Sequence, residues 1–207
     1  MSSLEQRIPK PFELVAGHAA LDLVNTLDNR FSQNGPEELL ASYDDLLRFA
    51  SESRLLTQQQ AKKLKHLDSF AAERAEVVHR VKELREALAA IAYAQLDGKR
   101  LSASALVTLE DDFKEASVHR HLTADQLRPV WSWRGLDCQI AAPMWLLAQA
   151  TVDFLLSEVS SQLRCCASET CRWLFLDASK NQTRRWCDMK VCGNRMKARR
   201  FYARKAE

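Results

Sequence analysis

Four cysteines constrain this chain more than any other feature. They form two pairs of equal spacing, Cys166-x4-Cys171 and Cys187-x4-Cys192, with fifteen residues between the pairs. Two short chelating turns on separate segments can meet tetrahedrally around one Zn2+. Four thiolate ligands leave no position for water, so such a site is structural and not catalytic. Cys165-x5-Cys171 would also reach, but the spacing of the second pair favours Cys166. Cys138 stands apart and is expected as an ordinary buried or half-buried thiol.

The residues around the cysteines suit a metal-dependent unit. RWLFLD reads as a short strand after the first turn. Trp173, Phe175 and Trp186 supply a miniature core too small to fold without metal. Gly193 follows the last cysteine, where a positive φ is easily reached. Asn194 then opens a terminal helix, NRMKARRFYAR, with Met196 and one of its two aromatics packing back on the turns.

Charge divides the chain. Residues 161–207 hold 12 Lys+Arg against 4 Asp+Glu, a net of +8, while residues 1–160 hold 18 against 23, a net of −5. Five of the six cysteines fall in the basic part. We therefore expect a boundary near residue 160, between a body at 1–160 with its own apolar core and a module at 161–207. No apolar run approaches the ~20 residues of a membrane span, and MSSLEQRIPKPFE has no signal-peptide core. The expected location is the cytoplasm, where reduced thiols favour metal ligation over disulfides.

The body reads as helical. HAALDLVNTLDNRF places Leu21, Val24, Leu27 and Phe31 at helical spacing. Ser42 with Asp45, and Thr57 with Gln60, form capping boxes. The second opens a long pattern from Leu64 to Ile91, interrupted around 69–76 and ended by Gly98. Ser102 or Ser104 starts another helix with Leu106, Leu109 and Phe113 inward. SVHRHL and RPVWSW predict a β-hairpin with TADQ between them. Pro143 sits where a first-turn proline belongs, ahead of the apolar helix MWLLAQATVDFLL. The fold class is thus mainly α with a small β-hairpin, a helical N-terminal domain followed by a four-cysteine zinc-knuckle module ending in a basic helix.

That last helix suggests a partner. Arg195, Lys197, Arg199, Arg200 and Arg204 lie on it, with Arg184 and Arg185 on the preceding loop. Guanidinium groups offer phosphates a planar fork of donors, so DNA is the expected partner and RNA a second candidate, with Phe201 or Tyr202 stacking on a base if single strands are bound. The alternative is a protein-interaction module whose basic face binds an acidic partner. Catalytic signatures are not evident, and the chain is expected to be a binder, not an enzyme.

The run CxxxxC-x-WLFLD-x-S, RRWC and CGNR-x-K-x-RRFYAR resembles the CGNR zinc-finger family over about residues 163–204. LDLVNTLDNR resembles the opening of the ABATE domain that precedes such fingers. The resemblance implies Cys166, Cys171, Cys187 and Cys192 as zinc ligands, DNA binding by the finger, and a stress-induced bacterial transcriptional regulator. On the first helix, Asp22, Asn25, Thr26 and Arg30 are candidates for a polar pocket or for contact with the cysteine module. The body is also where a small-molecule effector or a second copy of the chain would bind.

Overall fold

The structure, a computed structural model, describes residues 10–206, the side chains of Arg200, Ala203, Arg204 and Ala206 excepted. About half of the chain is helical. The elements run α1 (Ala19–Asn25), β1 (Leu27–Asp28), β2 (Glu37–Glu38), α2 (Tyr43–Glu52), α3 (Gln58–Lys65), α4 (Ala71–Leu96), α5 (Ala103–Ser117), β3 (Arg120–Asp125), β4 (Arg128–Trp133) and α6 (Ala142–Leu156). After a 3-10 turn at Glu158–Gln162 come β5 (Leu163–Cys165), β6 (Leu174–Leu176), a π turn at Met189–Gly193 and α7 (Asn194–Ala206). Three antiparallel pairs result, β1 with β2, β3 with β4, and β5 with β6. No described helix is long and apolar enough to cross a membrane.

Local signals set most helix starts. Ser42 and Thr57 close both expected capping boxes, Ser102 caps α5, Pro143 sits in the first turn of α6, and Gly98 follows α4 at φ +63°. Four expectations shift. The first helix stops at Asn25, because the Thr26 hydroxyl turns back to the Leu23 carbonyl and Leu27 and Asp28 pair with β2. The break after α3 lies at residues 66–70, where Arg74 donates to the carbonyls of Lys65 and Leu67 and fixes the corner. Leu106 is exposed, and α5 instead buries Ala105, Leu109, Asp112 and Ala116. The hairpin takes TAD into β3 and turns on Gln126 and Leu127, with Gln126 at φ +52°.

The core has two faces that share a wall. On one side Leu23 of α1 and Val77, Val81, Leu84 and Ile91 of α4 pack with Phe49, Leu64, Leu109, Met144 and Leu147 from α2, α3, α5 and α6. On the other, Ala20, Leu21 and Val24 of α1 and Leu88 and Ala92 of α4 pack with Phe154, Leu163, Trp173, Phe175 and the four clustered cysteines. α4, 26 residues long and so about 39 Å at 1.5 Å per residue, reaches both. The second of these faces holds residues from both sides of the change in charge near residue 160.

Backbone pairing reinforces that wall. The Asn25 side chain acts as a strand partner for Leu174, donating from Nδ2 to its carbonyl at 2.9 Å and accepting its N–H on Oδ1 at 3.0 Å. The Ala16 carbonyl accepts the Leu176 N–H at 2.8 Å, and Asp22 in turn holds the Ala16 N–H at 3.0 Å. Tyr93 of α4 donates to the Arg172 carbonyl at 2.9 Å. Asn25→Ala would strand two buried backbone groups, each worth about 1–3 kcal/mol when unpaired. We expect a loss of about 2–5 kcal/mol in denaturant unfolding, and Asn25→Asp to fail as well because a carboxylate cannot donate to Leu174. A loss below about 0.5 kcal/mol for Asn25→Ala would contradict this role.

Candidate metal centre

Two differently built turns carry the four cysteines. In the first, Cys171 and Arg172 donate their N–H groups to the Ser168 carbonyl, and Arg172 takes φ +51°. Cys166 N–H pairs with the Trp173 carbonyl at 2.8 Å, which locks the two ends of this turn together. The second is a single π turn opened by Asp188, whose carboxylate accepts the N–H groups of Lys190 and Val191. It closes with Gly193 N–H on the Asp188 carbonyl, and the Asn194 amide adds a bond to the Lys190 carbonyl.

Gly193 is not at positive φ as the sequence suggested. A Cβ there would stand 2.5 Å from the sulfur of Met189, a flexible side chain 51% exposed, and 3.4 Å from the Trp186 ring, so a larger residue would first have to displace the end of Met189. Asn194 opens the last helix as expected, whereas Asp188 was missed as a structural residue, although aspartate is among the strongly preferred capping residues.

The turns bring Cys166, Cys171, Cys187 and Cys192 together, all buried, with their sulfurs within 4.8 Å of one another. Cys187 lies 3.6 Å from both Cys171 and Cys192. A tetrahedral zinc with Zn–S near 2.3 Å has sulfur–sulfur edges of about 3.8 Å, so the cluster fits one structural Zn2+. Cys165 points away and donates to the Arg172 carbonyl at 3.2 Å.

Electrostatics agree with the donor count. Without a cation, hydrogen bonds from Cys171 and Cys187 hold the Cys166 thiol far below its ordinary range. Making those bonds to Cys166 pushes Cys171 and Cys187 up, and burial pushes Cys192 up. A dication favours the thiolate form of all four sulfurs and displaces the protons still held between them. The product carries a formal charge of −2, and the cleft beside Cys171, Cys187 and Cys192 is walled by both signs, Lys10 and Arg195 with Glu13 and Asp28, Lys10 being paired with Asp28 and Glu37.

The expected basic residues divide. Arg185, Arg195, Lys197 and Arg199 are exposed, while the side chains of Arg200 and Arg204 lie outside the described residues. Arg184 is turned inward. Its guanidinium stacks 4.3 Å over Phe175 and donates to the carbonyls of Trp186 and Cys187, tying the loop before the second turn. That geometry takes it off the outer face.

The four polar residues near α1 face the protein's own groups. Asn25 and Asp22 hold β6 and Ala16 as above, and burial pushes the Asp22 carboxyl up to about 6. Thr26 accepts from the buried Arg85, which also grips Glu38 through two bonds of 2.8 Å. Arg30 pairs with Glu86 of α4. Of the two readings for this group, contact with the cysteine module is realised by Asn25. Cys138, expected to be at least half buried, is exposed.

Protein purified without added metal should contain one zinc per chain. Cys166→Ser should lose it and Cys165→Ser should keep it, as read by elemental analysis. Less than about half an equivalent in the wild type, with all thiols free and reduced, would overturn the assignment.

Family comparison divides the chain at nearly the same place as its charge. The profile described as "Putative stress-induced transcription regulator", ABATE, matches residues 17–158. The CGNR zinc finger profile matches residues 162–205. No match was found among curated proteins. The chain belongs to the ABATE family and carries a CGNR zinc finger after its helical body.

Proposed function

We propose that this is a zinc-dependent DNA-binding regulator that acts by binding, not catalysis, and that α7 is its phosphate-contacting element. One observation carries the reading. The zinc turns launch a 13-residue helix with six cations in its sequence, NRMKARRFYARKA, and no acidic residue. Arg195 and Arg199, and Arg200 and Arg204, stand four apart on it. Like charges at that spacing destabilise a helix by about 0.2–0.5 kcal/mol per pair, a repulsion that a polyanion relieves. Arg185 adds a further exposed guanidinium from the loop.

The family description, a transcription regulator, agrees with this assignment. Phosphate contacts from Arg195, Lys197, Arg199, Arg200 and Arg204 would position the module on the duplex, and base-edge contacts would supply sequence preference. Arg184 is excluded from this set, since its donors already serve main-chain carbonyls. The helical body would then carry whatever regulation the protein receives.

Affinity for a duplex should fall with salt at a log–log slope of about −0.9 per phosphate contact. Arg199→Ala should weaken binding and flatten that slope by up to about one unit without releasing zinc. A salt titration on specific and random duplexes checks this. Failure of the wild type to bind DNA or RNA even at low salt would refute the reading and favour an acidic protein partner.

A further inference from the structure

The expectation that one aromatic of the last helix packs back on the zinc turns is not met. Phe201 is 55% exposed and Tyr202 69% exposed. Their rings lie edge to face, 5.7 Å apart. Two adjacent aromatic rings in water on a strongly charged helix contribute nothing to the core, and exposed apolar groups of this size mark contact surfaces when they cluster.

Their neighbours define the chemistry of the contact. At 100° per residue, Arg195, Arg199 and Tyr202 share one stripe along α7, and Lys197, Phe201 and Lys205 share a second, about 130° around the helix. Each ring thus stands in line with two cations. The Lys205 ammonium lies 4.8 Å from the Phe201 ring centre. At the root of the same helix, half-buried Trp186 repeats the arrangement. Arg185 lies 5.6 Å over its ring, and the ring lines an open cleft of about 590 Å³. Trp186 abuts Gly193, eight residues before Phe201 and so about 12 Å away along the helix axis.

Cations alone serve the phosphates of a duplex. Rings interleaved with cations suit unpaired bases, because a base has a free π face only when it leaves the stack. We propose that α7 binds single-stranded or locally melted nucleic acid, with Phe201 and Tyr202 as stacking platforms and the flanking cations on the phosphates. Every base offers a π face, so the contact is tolerant of sequence. This inference rests on the nucleic-acid reading of α7 and narrows it to strands with accessible bases.

The test compares a 15-nucleotide oligo-dT, the matching oligo-rU and a duplex of the same length, at one salt concentration. The full-length zinc-loaded protein should bind at least one single strand about tenfold more tightly than the duplex. Which strand it prefers separates DNA from RNA. Phe201→Ala with Tyr202→Ala should lose roughly tenfold or more on the single strand, in line with the loss of base–aromatic stacking, and change duplex binding less than about twofold. Zinc content and circular dichroism confirm that the variant is folded, and Phe201→Tyr should retain most of the affinity. Equal or tighter binding to the duplex, with the double alanine variant indistinguishable from wild type, would overturn the inference and leave the nucleic-acid reading standing. Absence of binding to all three would overturn both.

Discussion

Burial of four thiolates around one dication is the interaction on which the rest of the C-terminal architecture depends. The segment from Leu163 to Gly193 holds little regular structure, two three-residue strands and a π turn. Its turns stay where they are because Cys166, Cys171, Cys187 and Cys192 share one point. The π turn that delivers Cys192 runs directly into α7, so the metal also fixes where the basic helix begins. Metal binding is folding free energy for a unit of this kind.

The zinc centre is not isolated from the body. Its cysteines lie in the same apolar cluster as Leu21, Val24, Leu88 and Phe154, and Asn25 supplies β6 with its missing strand partner. α1 and α4 therefore face the helical core on one side and the metal module on the other. A change of packing in the body has a short, contiguous path to the start of α7.

Local signals were legible in the sequence and long-range ones were not. Capping boxes at Ser42 and Thr57, the turn at Gly98 and the proline of α6 act within a few residues, and each is where its spacing predicts. The ligand set was equally legible, because chelation requires short intervals between cysteines. Asn25 was visible as one of four polar candidates for contact with the cysteine module, but its particular partner, Leu174, lies 149 positions away and could not be read from the sequence. Arg184 looked like its neighbour Arg185, yet burial against Phe175 and main-chain carbonyls sends it inward. The miniature core expected around Trp173 and Phe175 also packs against Leu21, Val24, Leu88 and Phe154 of the body, a contact hidden from the sequence because composition marks where charge changes and carries no information about which apolar surfaces meet.

The central claim is that metal centre and body share one core. Native-state hydrogen exchange, followed by mass spectrometry before and after zinc is removed by a chelator, tests it most directly. The account predicts that amides of α1 and of the Leu88–Ala92 stretch of α4 lose protection together with those of β6, as one cooperative unit. Free exchange in residues 163–193 with protection in α1 and α4 unchanged would contradict it, and would show a zinc module that folds on its own.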